Sequence, residues 1–355
     1  MIVERRVELR FHQESREAET HVNLSAVRQD GRCLWVAGDE TATVERLTAV
    51  TGADGRVTGY GGQVTVALAD LVPLPAGAEE EADIEGLARA DGWLWAIGSH
   101  SLKRKKIKPG NGEAKARKRL ATVLREDNRY VLARIPLVTG DDGLPAAVAE
   151  DGDRTAAVLG LDKDSVADLL ADDPHLAPFL SIPSKDNGLD IEGVAVHGDR
   201  LYIGLRGPVL RGWAVLVEIR PGPHPRDPRR LRALPVGDDG EPYRTHFLDL
   251  GGLGVRDLCP HGDDLLVLTG PSMDLDGPVR LVRWPGAALA DAGGIVTADE
   301  LEVLGELPHG DGDDHAEGVA VLDGPGTRLL VVYDSPSPDR ITADGGVLAD
   351  VVRLG

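Results

Sequence analysis

A six-residue phrase recurs along this chain, and its recurrence is the strongest constraint on the fold. The phrase consists of a polar residue, an apolar residue and then Glu-Gly-Leu/Val-Ala, in the copies Asp83–Ala88, Asp190–Ala195 and His315–Ala320. Divergent copies lie at Asn23–Arg28 and Gly254–Cys259. Each copy is followed by a turn and a second apolar run, which is a β-hairpin pattern. A repeat of this length predicts an architecture built from one recurring structural unit.

The spacing of the repeat predicts a β-propeller. The equivalent positions in the five copies are Ser25, Glu85, Glu192, Arg256 and Glu317, which are separated by 60, 107, 64 and 61 residues. Three of these intervals match one four-stranded blade with long loops. We therefore predict an all-β protein with a β-propeller fold. Five blades fit best, and six are the alternative, because the interval of 107 residues has room for a disguised blade.

The two ends of the chain complement each other. The last repeat stops after its third strand, around Val347–Leu354, and the first strand, Val3–Phe11, has no blade of its own. We predict that this N-terminal strand completes the last blade and closes the ring, which would remove exposed sheet edges. The whole chain, residues 1–355, is then a single domain.

The segment 144–188 interrupts the strand pattern. Within it, Lys163–Leu176 has helical spacing, with Asp164 or Ser165 as the N-cap and Pro174 as the stop signal. We predict a helical insertion between two blades.

Composition and charge limit the class of protein. An apolar fraction of 42% supports a packed core, and a net charge of −20 argues against a binder of nucleic acid or anionic membranes. The charged N-terminus does not fit a secretory signal, and no apolar run approaches the roughly 20 residues of a membrane span. Cys33 and Cys259 match no metal or redox spacing, which favours buried structural thiols. We expect a soluble, cytoplasmic monomer without membrane contact.

The repeated glutamates are the first candidates for a functional site. Strict strand alternation places Asp83, Glu85 and Leu87 on one face of their strand. The first strand of a propeller blade lines the central channel, so Glu85, Glu192 and Glu317 should meet at one mouth of that channel. The glycine after each glutamate removes a side chain and permits a neighbouring blade to approach closely.

Clustered carboxylates repel one another unless a cation, an arginine or a proton neutralises them. Oxygen ligands suit Ca²⁺ or Mg²⁺ better than Zn²⁺. The predicted metal ligands are Glu85, Glu192, Glu317 and Asp257. The structural alternative is that these glutamates only hold neighbouring blades together, with Arg256 pairing with one of them.

A basic loop at residues 103–119 is the second candidate. Six of the eight lysines lie between Lys103 and Lys118, in an otherwise acidic chain. The loop leaves the second strand of its blade, so we expect it on the same face as the glutamates. Lys103, Arg104 and Arg206 are predicted to bind an anionic, phosphorylated substrate. The alternatives are an acidic protein partner or a solvated loop. Nucleic acid is disfavoured, because no aromatic residues are interleaved with the basic ones.

The phrases Glu-Gly-Leu/Val-Ala, the run Gly98–Lys106 and the return at Asn187–Ala195 resemble an uncharacterised bacterial β-propeller family of unknown function. More distantly, the chain looks like the esterase-like phytase propellers and the calcium-dependent propeller lactonases. That resemblance implies a divalent cation held by carboxylates at the channel mouth, which corresponds here to Glu85, Glu192 and Glu317.

Two functions follow as hypotheses, and a small-molecule sensor whose basic loop orders on binding is a third. In the first, a metal-dependent hydrolase cleaves a phosphorylated or ester substrate, with Glu85 and Glu192 at the cation and His100 assisting proton transfer. In the second, the propeller is a non-catalytic scaffold that binds a protein or peptide partner through its rim.

Overall fold

The computed structural model of the chain describes residues 1–237, 240–273, 275–324 and 326–354, so residues 238, 239, 274, 325 and 355 of the predicted single domain lie outside it. Strands make up 50% of the protein and helices 12%, which confirms the all-β class. None of the helices in the described ranges is long and apolar enough to cross a membrane.

The strands form five consecutive groups, each led by one copy of the repeated phrase. The chain begins with β1 (Ile2–Leu9), and the first group is β2 (Leu24–Asp30), β3 (Cys33–Gly38), β4 (Thr43–Thr51) and β5 (Val57–Ala67). The second group holds β6 (Ile84–Ala90), β7 (Trp93–Gly98), β8 (Lys103–Arg104), β9 (Val123–Leu124), β10 (Leu132–Thr139), β11 (Pro145–Ala147), β12 (Glu150–Asp151), β13 (Arg154–Thr155) and β14 (Ala157–Leu159).

The remaining groups follow the same pattern. The third is β15 (Asp190–His197), β16 (Arg200–Leu210), β17 (Trp213–His224), β18 (Asp227–Leu234) and β19 (Tyr243–Asp249). The fourth is β20 (Gly254–His261), β21 (Asp264–Gly270), β22 (Val279–Trp284), β23 (Gly294–Val296) and β24 (Glu302–Leu307). The fifth is β25 (His315–Leu322), β26 (Arg328–Asp334) and β27 (Val347–Arg353).

Helices are short and peripheral. They are α1 (Gln13–Glu17), α2 (Leu68–Leu71), α3 (Glu113–Leu120) and α4 (Val166–Leu169), with 3₁₀ turns at Thr20–Val22, Asp127–Tyr130, Ala177–Phe179, Ser184–Asp186, Ala287–Leu289, Ala298–Glu300 and Pro338–Arg340.

The groups are packed in a cyclic order. Strands β2, β6, β15, β20 and β25 each contact the next one along the chain, and β25 contacts β2. The N-terminal strand β1 pairs antiparallel with β27 and parallel with β5, so it joins the fifth group to the first. Five apolar clusters lie between successive groups, the last of them between the fifth group and the first. The core is therefore divided among the interfaces between sheets.

A β-bulge interrupts every first strand at the equivalent position of the repeat. The register with the second strand shifts at Ser25, Glu85, Glu192, Arg256 and Glu317, where the first strand carries one residue without a partner. A bulge breaks the alternation of side chains and redirects the extra residue.

The predicted alternation is therefore wrong at this position. Ile84 and Leu87, expected on opposite faces, pack in the same apolar cluster. Glu85, between them, instead lines a cavity at the end of the strand.

The glycine that follows each glutamate provides the close approach that was predicted. A Cβ atom on Gly193 would lie 2.8 Å from the Cα of Asp257 and 2.9 Å from the backbone nitrogen of Leu258. A Cβ on Gly318 would lie 3.1 Å from the backbone nitrogen of Val27 in the next group. These glycines let neighbouring first strands touch backbone to backbone.

One buried arginine ties these strands together at the centre. Arg28 donates to the carbonyl oxygens of Val27, Val194, Leu258 and Val319, which belong to β2, β15, β20 and β25. The same guanidinium pairs with both carboxylate oxygens of Asp257, at 2.7 and 2.8 Å.

The segment 144–188 differs from the predicted helical insertion. It contains strands β11 to β14, and its α-helix spans only Val166–Leu169. Ser165 caps this helix as expected, through a capping box with Asp168. The helix ends at Leu169, before Pro174, and in the segment that follows Asp173 accepts hydrogen bonds from the backbone N–H groups of His175 and Leu176. Such local bonds compete with helical ones.

Candidate functional site

A cavity of about 640 Å³ opens where the first strands begin and the second strands end. Its lining joins the two candidate regions of the sequence, with carboxylates from the strand ends and cations from the basic segment. The charged residues that line it are Asp39, Glu40, Glu81, Asp83, Glu85, Lys103, Arg104, Lys105, Lys106, Lys108, Arg119, Arg129, Lys185, Asp186, Asp190, Glu192, Arg206, Glu317 and Asp334.

Three carboxylates form a compact group in this cavity. Asp39 follows β3, Asp83 precedes β6, and Glu85 is the bulge residue of β6. One oxygen of each lies within 4.8 Å of those of the other two. Among the described residues, no hydrogen-bond or ion-pair partner contacts the Glu85 carboxylate, and Asp39 Oδ1 is buried without a partner. Each member of this acidic trio of Asp39, Asp83 and Glu85 offers a carboxylate oxygen, which is the type of ligand that Ca²⁺ and Mg²⁺ prefer.

Burial and mutual repulsion favour the protonated forms of the trio. Desolvation, followed by the charges of Asp83, Asp334 and Glu40, raises the pKa of Asp39 to about 7. Desolvation and the neighbouring carboxylates, led by Asp83, raise the pKa of Glu85 well above its usual value. A cation bound by the trio would relieve this repulsion and restore the ionised forms.

Arg129 keeps the third member of the trio in place. Its Nη1 donates to Asp83 Oδ2 at 2.5 Å, and the same guanidinium also binds Glu81 and Glu126. Burial still raises the pKa of Asp83 despite this partner. Sequence reasoning missed Arg129, because it lies in a 3₁₀ turn outside the repeated phrases.

Two of the predicted metal ligands are already neutralised by arginines. Arg256 Nη1 binds Glu192 at 3.1 Å and Glu317 at 2.5 Å. Arg206 Nη1 binds Glu192 at 2.5 Å and lies 3.6 Å from Asp190. Pairing with Arg256 to hold neighbouring strands together, the structural alternative given for the repeated glutamates, therefore describes Glu192 and Glu317 better than metal ligation does. The pKa of Glu317 is nevertheless raised to about 8, first by desolvation and then by Asp334.

Arg206 is also less available than predicted. Its remaining nitrogens donate to the carbonyl oxygens of Pro271 and Met273, and only 6% of the residue is exposed. Its pKa is raised by Glu192 and Asp190, despite burial. Each nitrogen of its guanidinium has a partner within the protein, so an anion in the cavity would compete with Glu192 and Asp190 for Arg206.

Asp257 and His100 lie outside the cavity. Asp257 is fully buried in the central pair with Arg28, and it also accepts from the backbone N–H groups of Leu258 and Val319. His100 is 1% exposed, with Nδ1 2.8 Å from the Gly98 carbonyl oxygen. Burial lowers the pKa of His100 to about 4. Both predicted roles, metal ligand and general base, conflict with this burial.

The basic segment folds over the acidic cavity as a hairpin and a helix. Strands β8 and β9 pair with each other, and α3 between them buries none of its residues. Lys103 pairs with Glu81 at 2.9 Å, and Arg104 pairs with Asp186 at 2.7 Å.

Three further lysines remain available. Lys105, Lys106 and Lys108 line the cavity without an ion pair to any described residue. The cavity thus has an acidic floor and a basic cover.

The fold and this cavity define a β-propeller-like protein with a charged site at one end of its first strands. The chain belongs to the family "Protein of unknown function (DUF3616)", whose model matches residues 23–350.

Comparisons with other proteins add only distant structural likenesses. No curated protein matches the chain. Glutaminyl cyclase from Myxococcus xanthus is 10% identical, with a TM-score of 0.40, covering 100% of this chain and 97% of that one. A glucose dehydrogenase-type putative oxidoreductase from Thermus thermophilus is 14% identical, with a TM-score of 0.36 and coverages of 93% and 96%. The endosialidase of phage phi92 is 8% identical, with a TM-score of 0.38 and coverages of 99% and 69%.

Proposed function

We propose that this protein is a five-bladed β-propeller, closed by its N-terminal strand, that binds a divalent cation and a phosphorylated anion in the cavity at its mouth and hydrolyses an ester bond of that anion. The cation is Ca²⁺ or Mg²⁺, and the acidic trio provides its ligands. The proposal includes a cytoplasmic monomer, in keeping with the two free, buried thiols of Cys33 and Cys259.

The closed ring is supported by the cyclic contacts. Each of the five first strands touches the next, and the pairing of β1 with β27 gives the fifth group its fourth strand. Direct contact between β6 and β15 across the longest interval of the repeat supports five blades over six.

One observation carries the cation site: the Glu85 carboxylate has no hydrogen-bond or ion-pair partner among the described residues, and one of its oxygens lies within 4.8 Å of an oxygen of Asp39 and of Asp83. Glu192 and Glu317 share Arg256, and Asp83 has Arg129, but Glu85 and Asp39 have no described cation. An ion at this position would place a positive charge where raised pKa values report excess negative charge.

Anion binding depends on the same cation. A phosphate that entered the cavity without a metal would face carboxylates on the floor, which repel it. With a divalent ion on the trio, the negative charge of the phosphate lies between that ion and Lys105, Lys106 and Lys108 of the cover. We therefore expect the cation and the anion to bind cooperatively.

The chemistry proposed is attack of water on the bound ester. A divalent cation would polarise the phosphoryl or acyl oxygen and lower the barrier electrostatically. Once the cation binds, Asp39 is ionised, and its second carboxylate oxygen can accept a proton from the attacking water. The lysines hold the anionic group, and Lys103 remains anchored to Glu81.

The test measures binding and turnover together. Isothermal titration with Ca²⁺ and Mg²⁺ should show one site per chain in the wild type and at least about tenfold weaker binding in Glu85→Gln. Glu79→Gln removes an exposed carboxylate outside the cavity lining and serves as the matched control. Hydrolysis of p-nitrophenyl phosphate and of a γ-lactone is then assayed with each metal. Absence of divalent binding in the wild type contradicts the proposal.

A non-catalytic scaffold is the second candidate, and the state of His100 favours it. The predicted general base is buried and does not line the cavity. In this version the basic cover binds an acidic protein or peptide. Saturable, salt-sensitive peptide binding without hydrolysis of either substrate would select it over the enzyme.

A further inference from the structure

A second cavity, of about 170 Å³, lies at the other end of the strands, between the second and third groups. Strand β6 runs from Glu85 at the acidic cavity to Ala90 beside this one, about 17 Å for five residue steps. The turns at Asp91 and at Gly198–Asp199 form its rim. It is therefore separate from the site described above.

Arg134, on β10, is the distinctive group of this cavity. Its guanidinium carbon lies 4.3 Å from the ring centre of Trp93 and 5.8 Å from that of Trp95. It forms no ion pair and no hydrogen bond with any described residue, and its Nε is buried without an acceptor. A half-buried guanidinium without a carboxylate is unexpected in a chain with a net charge of −20.

The neighbouring charges are committed elsewhere. Arg200 lies 3.4 Å from Glu218 and donates to the Ala290 carbonyl oxygen at 2.9 Å. Asp199 binds Arg220 at 2.5 Å. Asp91 is exposed on the rim, where water screens its charge. The positive charge of Arg134 is therefore not compensated by the other charged residues that line the cavity.

The unpaired Arg134 and the apolar lining of this cavity favour a small carboxylate as its ligand. A buried N–H group without an acceptor is costly, and burial also lowers the pKa of Arg134, because water no longer stabilises its charge. A planar guanidinium fork matches a carboxylate in a bidentate pair. The apolar lining, which includes Trp93, Trp95 and Pro221, suits a hydrophobic body. The volume is below the roughly 300–1,000 Å³ of drug-sized sites, so the ligand is small.

We propose that this cavity is a binding site for a small carboxylate with a ring-sized apolar body, whose carboxylate pairs with Arg134 while its body packs against Trp95 and Pro221. A single guanidinium balances a monoanion, which favours a carboxylate over a phosphate dianion. The site does not depend on the cation site at the opposite end, and the two proposals are tested separately.

The experiment uses benzoate as the probe on the intact protein, without added divalent metal. Saturation-transfer NMR and calorimetry should show saturable benzoate binding in the millimolar range or tighter, about 4 kcal/mol or more. Benzamide, the neutral analogue of the same shape, should bind at least about tenfold more weakly, and so should inorganic phosphate.

Variants separate a ligand site from a structural contact. Arg134→Met keeps the length of the side chain and should weaken benzoate binding at least about tenfold, whereas Arg134→Lys should retain part of it. Arg232→Met, which removes an exposed arginine of β18 outside the cavity lining, is the control and should leave binding unchanged. Equal affinity of wild type and Arg134→Met, or no saturable binding of benzoate up to about 20 mM, overturns the proposal. Circular dichroism of each variant identifies any loss of fold.

Discussion

Glu85, Glu192 and Glu317 occupy the same place in the repeat, yet their surroundings assign them different tasks. Glu192 and Glu317 share Arg256 and hold neighbouring strands together. Glu85 has no such partner among the described residues and belongs to the acidic trio. The divergence of the fourth copy causes this difference, because Arg256 replaces a carboxylate and neutralises those beside it. At the scale of the residue, equivalence in sequence does not imply equivalence in charge.

The first prediction concerns the pH dependence of stability in Asp39→Asn. In the folded state the pKa of Asp39 is raised from 3.8 to about 7, so between these values the native state holds more protons than the unfolded state. Its contribution to stability therefore falls as the pH rises through this window. Without divalent metal, the variant should gain about 1–2 kcal/mol relative to wild type between about pH 4 and pH 8, after discounting for solvent screening.

Urea denaturation at several pH values measures this effect. Glu79→Gln is the control, because Glu79 is exposed and lies outside the cavity lining. Saturating Ca²⁺ should abolish the advantage of Asp39→Asn. If the difference in unfolding free energy between wild type and Asp39→Asn stays constant with pH, the pKa of Asp39 is not raised in the folded state.

At the scale of the element, the β-bulge is the decisive feature. Five first strands place an unpaired residue at the same position, and the glycine after three of them lies against the backbone of the next group. The repeated Glu-Gly pair was recognisable in the sequence. The bulge was not, because it is a property of the pairing between two strands, and simple alternation was assumed.

The second prediction tests this close approach with Gly193→Ala. The added Cβ would stand 2.8 Å from the Cα of Asp257, where only backbone can move. We expect a loss of about 1–3 kcal/mol in the free energy of unfolding. Gly294→Ala is the matched control, since Gly294 also lies in a strand but has no heavy atom within 4 Å of such a Cβ. A loss of equal size in both variants would contradict the packing argument.

The third prediction concerns the basic cover. Replacing Lys105, Lys106 and Lys108 together by glutamine should weaken phosphate binding, measured with Ca²⁺ or Mg²⁺ present, by about tenfold or more, because each lysine faces the cavity without a described acidic partner. The midpoint of thermal unfolding should change little, since these contacts are solvated. Lys115→Gln/Lys118→Gln, on α3 and outside the cavity lining, is the control for general charge. Equal weakening in both variants would indicate non-specific attraction.

At the scale of the whole molecule, Arg28 links the first strands of different groups to one another. It joins four of the five first strands through their carbonyl oxygens and pairs with Asp257. Residues 28 and 257 are far apart in sequence, and each lies in a divergent copy of the repeat. Nothing in the local pattern marks them as partners, and Asp257 was assigned to a metal instead.

The fourth prediction follows from this pair. Arg28→Met leaves the buried Asp257 carboxylate without its cation and four carbonyl groups without a donor, so the protein should lose about 3–5 kcal/mol of stability or fail to fold. Arg28→Met/Asp257→Asn removes the charges together and should recover part of that loss. Arg117→Met, which breaks an exposed pair with Glu113 on α3, should cost less than about 1 kcal/mol. Guanidinium unfolding followed by circular dichroism provides the comparison.

The sequence by itself determined the all-β class, the positions of the first strands, the need for glycine beside each glutamate, and the meeting of carboxylates with the lysine-rich segment. These follow from local patterns that recur along the chain. Only the tertiary structure decided which carboxylates are paired with arginines, that His100 is buried, and that single oxygens of Asp39, Asp83 and Glu85 lie within 4.8 Å of one another. Pairing and burial depend on distances between groups that are remote in sequence. A bulge of one residue redirects a side chain but leaves the local sequence pattern unchanged.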